Sequence, residues 1–172
     1  PLVVLAFGGS FLSGSRNTDP TIVDLCQTLS KRGYVCASID YRLGNIFKMA
    51  DTTQAIGVVF DAVCDGKAAL RYFIKDALTE NRFRIDTSLI FAGGNSAGGV
   101  LFMHAAYLNH KSEAAPWIQQ LIDANGGMEG NSGNPGYTYT LKGILNLSGA
   151  LHSTAYISAD DPSSINLQSE GD

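Results

Sequence analysis

The chain has 172 residues, of which 45% are hydrophobic, and carries a formal net charge of −4. This length and composition fit one globular domain with a substantial core. The acidic balance, without a stripe of Lys or Arg, argues against a nucleic-acid-binding protein, and no apolar run reaches the length of a membrane span.

Strand and helix patterns alternate along the chain. Asp19 is a good N-cap, Pro20 suits the first helical position, and Gly33 suits a helix end. Apolar residues recur at helical spacing over 54–80 and predict a second helix there. Strands are predicted over 2–7, 34–39, 88–92, 141–147 and 163–168, and a helix after the third strand is predicted to run to about 109. This alternation predicts an α/β fold, with a mostly parallel sheet flanked by helices on both faces.

Two stretches lack a clear period. Residues 43–53 are predicted to be irregular. Within 110–140, Pro116 to Ala124 is predicted as a short amphipathic helix, followed by a stretch rich in Gly and Asn, so we expect a loop or small cap excursion there. Residues 1–172 are interpreted as a single incomplete domain, because a strand begins directly after Pro1 and no closing helix precedes Asp172.

The segment Gly94-Asn95-Ser96-Ala97-Gly98 is the most informative motif. A serine between glycines, on a turn from strand to helix, is typical of a nucleophile elbow. The turn is so sharp that bulky flanking residues would collide with the neighbouring strand and helix. We therefore predict Ser96 as a nucleophile and the Ala97 N–H as one oxyanion donor. A phosphate-binding loop is set aside, because the motif lacks the P-loop lysine and the Rossmann spacing.

A serine nucleophile also needs a base, a group that orients the base, and further donors for the oxyanion. The loop after the first strand reads Phe7-Gly8-Gly9-Ser10-Phe11. Its small residues would let backbone N–H groups approach a substrate oxygen. We predict that Gly9 and Ser10 complete the oxyanion hole with Ala97.

These two stretches resemble the α/β-hydrolase superfamily. The match is closer to the bacterial carboxylesterase and lipase group of the hormone-sensitive-lipase type, whose oxyanion loop reads His-Gly-Gly-Gly. Phe7 stands here for the His, and Ser10 for a Gly. Further matching stretches lie at 37–43, 65–69 and 146–149, in the family's order along nearly the whole chain.

The resemblance implies a serine hydrolase that cleaves a small-molecule carboxylic ester through an acyl-enzyme, without metal or cofactor. It implies Asp172 as the acid, with Asp160 and Asp161 as alternatives, and a histidine downstream of Asp172. Secretion or a periplasmic location is implied by family analogy only, and oligomeric state is left open.

The base is not evident within the chain. His104 lies on the helix after Ser96, His110 at its end, and His152 after a strand, where it is the only substitute base. We therefore expect little ester turnover from these 172 residues alone. Two alternatives stay open: a catalytically inactive binding module, and a serine peptidase of the same fold.

Two smaller expectations concern other side chains. Asp40 and Arg42 are expected to pair near the end of the second strand. The three cysteines are expected to pack as small hydrophobes, with a bridge from Cys26 to Cys64 left open.

Overall fold

A computed structural model describes residues 1–168. Its centre is a five-stranded parallel sheet in the order β2-β1-β3-β4-β5. The strands are β1 (Leu2–Ala6), β2 (Val35–Ile39), β3 (Ile90–Asn95), β4 (Leu141–Leu147) and β5 (Ser163–Leu167). The chain builds outward from β1 to one side, then crosses over and adds β3 to β5 on the other side. This is the doubly wound arrangement of α/β domains, with its switch point between β1 and β3.

Helices cover both faces of the sheet, as the sequence predicts. They are α1 (Pro20–Ser30), α2 (Ile46–Met49), α3 (Thr52–Leu78), α4 (Ala97–Tyr107) and α5 (Pro116–Ala124), with short 3-10 turns at Lys111–Glu113 and Thr154–Tyr156. The side chains of β1 alternate between the two layers: Val3 and Leu5 pack with Ile22 of α1, whereas Leu2, Val4 and Ala6 join the larger core with α3 and α4. Every residue of β1 is buried because helices lie on both sides.

Several element ends differ from the sequence prediction by one or two residues, and two parts of the chain differ more. The 43–53 stretch contains α2, a four-residue helix capped by Asn45, which is too short to produce a recognisable apolar period. Strand β3 begins at Ile90 and continues to Asn95, past the predicted end at residue 92. Gly93 and Gly94 still pair with β4, but glycines carry no side-chain pattern from which a strand could be recognised.

The Gly-rich stretch after α5 is tied to α3. The buried guanidinium of Arg71 donates to the carbonyl oxygens of Glu129, Ser132 and Gly133, and pairs with the Glu129 carboxylate at 2.9 Å. Arginine suits this role because its five donors can satisfy several carbonyls at once. Helix α5 has the predicted bounds, while a cap function for 110–140 stays a prediction.

The expected pair of Asp40 and Arg42 is wrong. Asp40 pairs with Arg16 at 2.7 Å, whereas Arg42 pairs with Asp65 at 2.9 Å and with Asp61 at 3.3 Å. The two side chains leave the end of β2 toward different elements. Asp40 meets the loop before α1, and Arg42 meets α3.

A bridge between Cys26 and Cys64 does not form. Cys26 and Cys36 pack on the α1 face of the sheet, whereas Cys64 lies in the core on the opposite face, so the sheet separates them. All three thiols are free.

Across residues 1–168, no helix combines the length and apolar character needed to cross a membrane.

Candidate active site

The predicted nucleophile and the predicted oxyanion loop lie at the switch point of the sheet. β1 and β3 are hydrogen-bonded neighbours, with Ala6 opposite Gly94, and their carboxyl ends lie side by side. The Phe7–Phe11 loop follows β1, and Ser96 follows β3. In open α/β sheets, ligands bind in the crevice outside the carboxyl ends of the strands at this point.

Ser96 has an unusual backbone conformation, with φ 49° and ψ −113°. Positive φ is uncommon for a residue with a side chain, and a sparsely populated conformation costs about 1–3 kcal/mol. Two hydrogen bonds hold the turn. The Ser96 N–H donates to the Leu147 carbonyl at 2.7 Å, and the Val100 N–H donates to the Ser96 carbonyl at 2.9 Å. The turn places the half-buried Ser96 directly ahead of α4.

The two glycines of the motif sit where no side chain fits. A Cβ at Gly98 would overlap the carbonyl group of Ala6 and lie 2.8 Å from the Phe7 carbonyl oxygen. A Cβ at Gly94 would lie 2.6 Å from the Ala6 carbonyl oxygen. The first turn of α4 therefore packs directly against the backbone of β1, which is the steric requirement predicted for these glycines.

The loop after β1 packs against the Ser96 turn through Gly8. A Cβ at Gly8 would lie 3.4 Å from the Ser96 Cβ and 3.2 Å from the Asn95 carbonyl oxygen. Gly9 has φ 132° and Ser10 has φ 54°, and only glycine fits at position 9, since a Cβ there would overlap the Ser13 carbonyl. Within residues 1–168, the N–H groups of Gly9 and Ser10 have no hydrogen-bond acceptor.

An aromatic cluster around Phe7 fixes the shape of this loop. The Phe7 ring stacks on Tyr41 with centroids 4.4 Å apart, and Phe11 meets the same ring edge-on at 5.8 Å. The Tyr41 hydroxyl donates to the Phe7 carbonyl at 2.9 Å. Gly14 passes so close that a Cβ there would lie 2.6 Å from the Phe7 ring. These contacts give the loop a defined shape.

Asp19 contacts both halves of the site, which the sequence analysis missed. Its Oδ1 caps α1 by accepting from the N–H groups of Thr21 and Ile22. Its Oδ2 accepts from the Gly8 N–H at 2.9 Å and from the Asn95 Nδ2 at 2.9 Å. The cap was predictable from Asp-Pro, but these other partners lie 11 and 76 residues away in sequence.

The histidines make contacts of their own. His104 Nε2 accepts from the His152 N–H at 3.2 Å, so its Nδ1 carries the proton and donates to the Val100 carbonyl at 2.8 Å. Burial lowers the pKa of His104, which fits this neutral form. The His110 N–H donates to Glu113. In the described part of the chain, no histidine is hydrogen-bonded to the Ser96 hydroxyl.

His152 lines an apolar groove beside the site. The groove holds about 240 Å³ and lies between α3, α4 and the segment after β4; its walls include Val59, Phe60, Val100, His104, Leu151 and Tyr156. The His152 ring stacks on Tyr156 with centroids 6.3 Å apart. Val100 is one helical turn beyond Ser96, and the groove follows α4 from Val100 through His104 to Leu108.

The acidic residues have different placements. Asp172 lies outside the described residues. Asp160 and Asp161 lie in the turn before β5, at the amino end of the parallel strands, and Asp161 accepts from Asn109 and from the Ser158 N–H. Ser96 lies at the opposite, carboxyl end, so neither alternative acid is near it. No cluster of three or more potential metal ligands occurs among residues 1–168.

Together, the doubly wound sheet and the serine turn after β3 define an α/β-hydrolase-type domain. A family model described as BD-FAE matches residues 1–171, and the chain belongs to that family. No match was found among curated proteins.

Solved structures of one bacterial esterase share this fold. Thermogutta terrifontis esterase 2 phosphorylated by paraoxon is 21% identical, with a TM-score of 0.68 over 96% of this chain and 57% of that one. The apo form of esterase 2 is 20% identical, with a TM-score of 0.67 over 96% and 59%. The butyrate-bound thermophilic esterase Est2 from the same planctomycete is 23% identical, with a TM-score of 0.59 over 86% and 42%. The chain thus spans less than two thirds of these proteins, and the likeness shows the fold alone.

Proposed function

We propose that this chain carries the nucleophile of a serine carboxylester hydrolase. The observation that supports the proposal most strongly is the strained Ser96 turn, packed against the Gly8 loop at the switch point. In the proposed reaction, the Ser96 Oγ attacks the ester carbonyl carbon and gives its proton to a base. The C–O bond to the alcohol breaks, an acyl-enzyme remains, and water then releases the acid.

The oxyanion would be held by backbone N–H groups. Ala97 is the first residue of α4, so its N–H has no intrahelical partner and carries the positive end of the helix dipole. Gly9 and Ser10 would add donors from the other side. Donors that are already oriented stabilise the developing charge without reorganising, and each one typically contributes about 10²–10³ in rate.

The base in this proposal is a histidine supplied from outside these 172 residues, oriented by Asp172. The ring nitrogens of His104 are both engaged with neighbouring backbone, which supports a base from elsewhere. His152 stays the in-chain substitute, since it borders the groove next to Val100. The role of Asp172 rests on the order of motifs in the family.

The proposed substrate is a small-molecule carboxylic ester of a short-chain acid, bound without metal or cofactor. The similar Thermogutta terrifontis esterase was solved with butyrate or propionate bound, which motivates this choice. The same parts can attack an amide, so a peptidase activity is tested alongside, with a p-nitroanilide substrate.

A catalytically inactive binding module is the second candidate. It is favoured by two observations: no histidine in the described part of the chain reaches Ser96, and Phe7 replaces the usual histidine of the oxyanion loop. A module of this kind would fold normally and remain unreactive.

The test uses the full-length protein encoded by the gene that contains this sequence. We expect a fluorophosphonate probe to label Ser96 and p-nitrophenyl butyrate to be hydrolysed, and Ser96→Ala to abolish labelling and lower kcat by about 10⁴-fold or more. Ser148→Ala is the matched control. Ser148 also has positive φ (52°), follows a parallel strand, and donates its N–H to the end of the next strand, as Ser96 does.

Two outcomes would contradict the proposal. Label on Ser148 rather than Ser96 would mean that the wrong turn has been assigned. A folded protein that neither reacts with the probe nor cleaves the ester or the anilide would favour the binding module.

A further inference from the structure

One carboxylate joins three segments around the candidate site. Asp19 is 9% exposed and accepts four hydrogen bonds. They come from the loop after β1, from the residue before Ser96, and from the first turn of α1. These segments meet at the carboxyl ends of β1 and β3, where the chemistry is proposed to occur.

We propose that Asp19 is a positioning residue of the Ser96 site, holding the oxyanion loop in register with the serine turn. The inference rests on the proposed function. It concerns geometry, because Asp19 would act through Gly8 and Asn95 rather than by touching substrate.

The capping role does not account for all of these contacts. A cap needs one acceptor oxygen, and Oδ1 already serves both Thr21 and Ile22. Oδ2 is turned to two groups that belong to other segments, at 2.9 Å each. One oxygen therefore serves the fold of α1, and the other joins the two segments of the site.

The Gly8 contact fixes which N–H groups remain available. Because the Gly8 N–H is bonded to Asp19, it is withdrawn from the crevice, and the next N–H groups, of Gly9 and Ser10, are the ones without an acceptor. The Asn95 contact fixes the residue next to Ser96. The Asp19 Oδ2 atom therefore holds both the loop that carries the oxyanion donors and the residue next to the nucleophile.

The carboxylate form suits this role. Burial would raise the pKa of Asp19, but hydrogen bonds from Gly8, Asn95, Ile22 and Thr21 together hold it below its usual value. An ionised carboxylate only accepts, so it matches four donors. An amide would keep the cap oxygen but present an NH₂ group to the Gly8 and Asn95 donors.

The decisive variant is Asp19→Asn, because Asn is an equally good N-cap of the same shape. Asp24→Asn, an exposed change on the same helix, is the matched control. If Asp19→Asn does not fold, Asn95→Ala removes the contact with Asn95 alone. Each variant is made in the full-length protein and measured in two ways: steady-state hydrolysis of p-nitrophenyl butyrate, and hydrogen–deuterium exchange of residues 7–13.

We expect Asp19→Asn to lower kcat by about 10- to 100-fold, because a small misplacement of reacting groups has that effect. KM should stay within about twofold, since the donors act on the oxyanion rather than on the ground state. Hydrogen–deuterium exchange over residues 7–13 should become at least about tenfold faster. The control Asp24→Asn should leave kcat, KM and this exchange rate unchanged.

An unchanged kcat in Asp19→Asn overturns the inference, and so does unchanged exchange over 7–13. Failure of the proposed function is recognised separately, as wild-type protein without hydrolysis that depends on Ser96. In that case exchange alone decides: faster exchange supports the loop-holding role, and unchanged exchange rejects it.

Discussion

Two helical glycines in this chain should respond to alanine with opposite sign. Gly98 lies in the first turn of α4, and Gly57 lies inside α3. By helix propensity alone, both changes would stabilise, since alanine is favoured over glycine by about 0.5–1 kcal/mol. The structure separates them. A Cβ at Gly57 has only Leu121 Cδ1 nearby, at 3.7 Å, whereas a Cβ at Gly98 overlaps the Ala6 carbonyl.

The magnitude follows from what must move. The atoms that meet a Cβ at residue 98 are backbone atoms of Ala6 in β1, an interior strand, and of Phe7 directly after it, and they cannot rotate away as a side chain could. Overpacking of this kind costs about 1–3 kcal/mol. We therefore expect Gly98→Ala to lower the free energy of unfolding by about 2 kcal/mol and Tm by about 4–8 °C. Gly57→Ala should raise Tm by about 1–4 °C.

Urea titration and thermal melts of both variants beside wild type provide the measurement. A Gly98→Ala protein as stable as wild type, or more so, would refute the close packing of α4 on β1. The close approach that requires Gly94 and fixes the Ser96 turn would then be wrong as well. Gly57→Ala measures how much the preference of a helix for alanine over glycine stabilises this protein when no steric clash opposes it.

Two other consequences concern titratable groups. The pKa of folded Asp19 lies below the unfolded value of about 3.9, so its stabilisation is complete above that pH and is lost as pH falls through the folded pKa. Hydrogen bonds to a charged acceptor contribute about 1.5–3 kcal/mol, so the gap in unfolding free energy between wild type and Asp19→Asn should be about 2 kcal/mol at pH 6 and smaller at pH 3, where the unfolded carboxyl is mostly protonated. A gap that stays constant between those pH values would contradict the depressed pKa. Burial raises the pKa of Cys26 and of Cys64 to about 11, so at pH 7.5 both thiols should react slowly with iodoacetamide in folded protein and fully in urea. Rapid alkylation of either thiol before unfolding would contradict their placement.

Much of the fold could be predicted because its signals are local. Asp19 and Pro20 mark the start of α1 within two residues, and α5 and β4 have the bounds that the sequence predicts. The sequence prediction was weakest where a segment was too short to show a period, or where its residues fit a strand and a loop equally well. Helix α2 is too short for a period, and the end of β3 consists of two glycines and an asparagine.

The candidate site shows the same division. The glycines around Ser96 and in the loop after β1 were recognisable, because each is required by a conformation or close approach at its own position. The partners of Asp40 and Arg42 were not, because they depend on which elements pack beside the end of β2.

The sequence by itself determined the alternation of strands and helices, the positions where only glycine fits, and Ser96 as the candidate nucleophile. The alternation depends on interactions within a few residues, and the glycine-serine motif is recognisable as a short linear pattern, although the atoms that exclude a Cβ at Gly94 and Gly98 include the Ala6 carbonyl of β1. Only the tertiary structure decided that β1 and β3 lie side by side, and that Asp19 reaches Asn95 across 76 residues. It likewise decided that His104 directs both ring nitrogens to neighbouring backbone. Such contacts depend on the order of strands and the packing of layers, and no spacing along the chain encodes the distance between residues that meet only after folding.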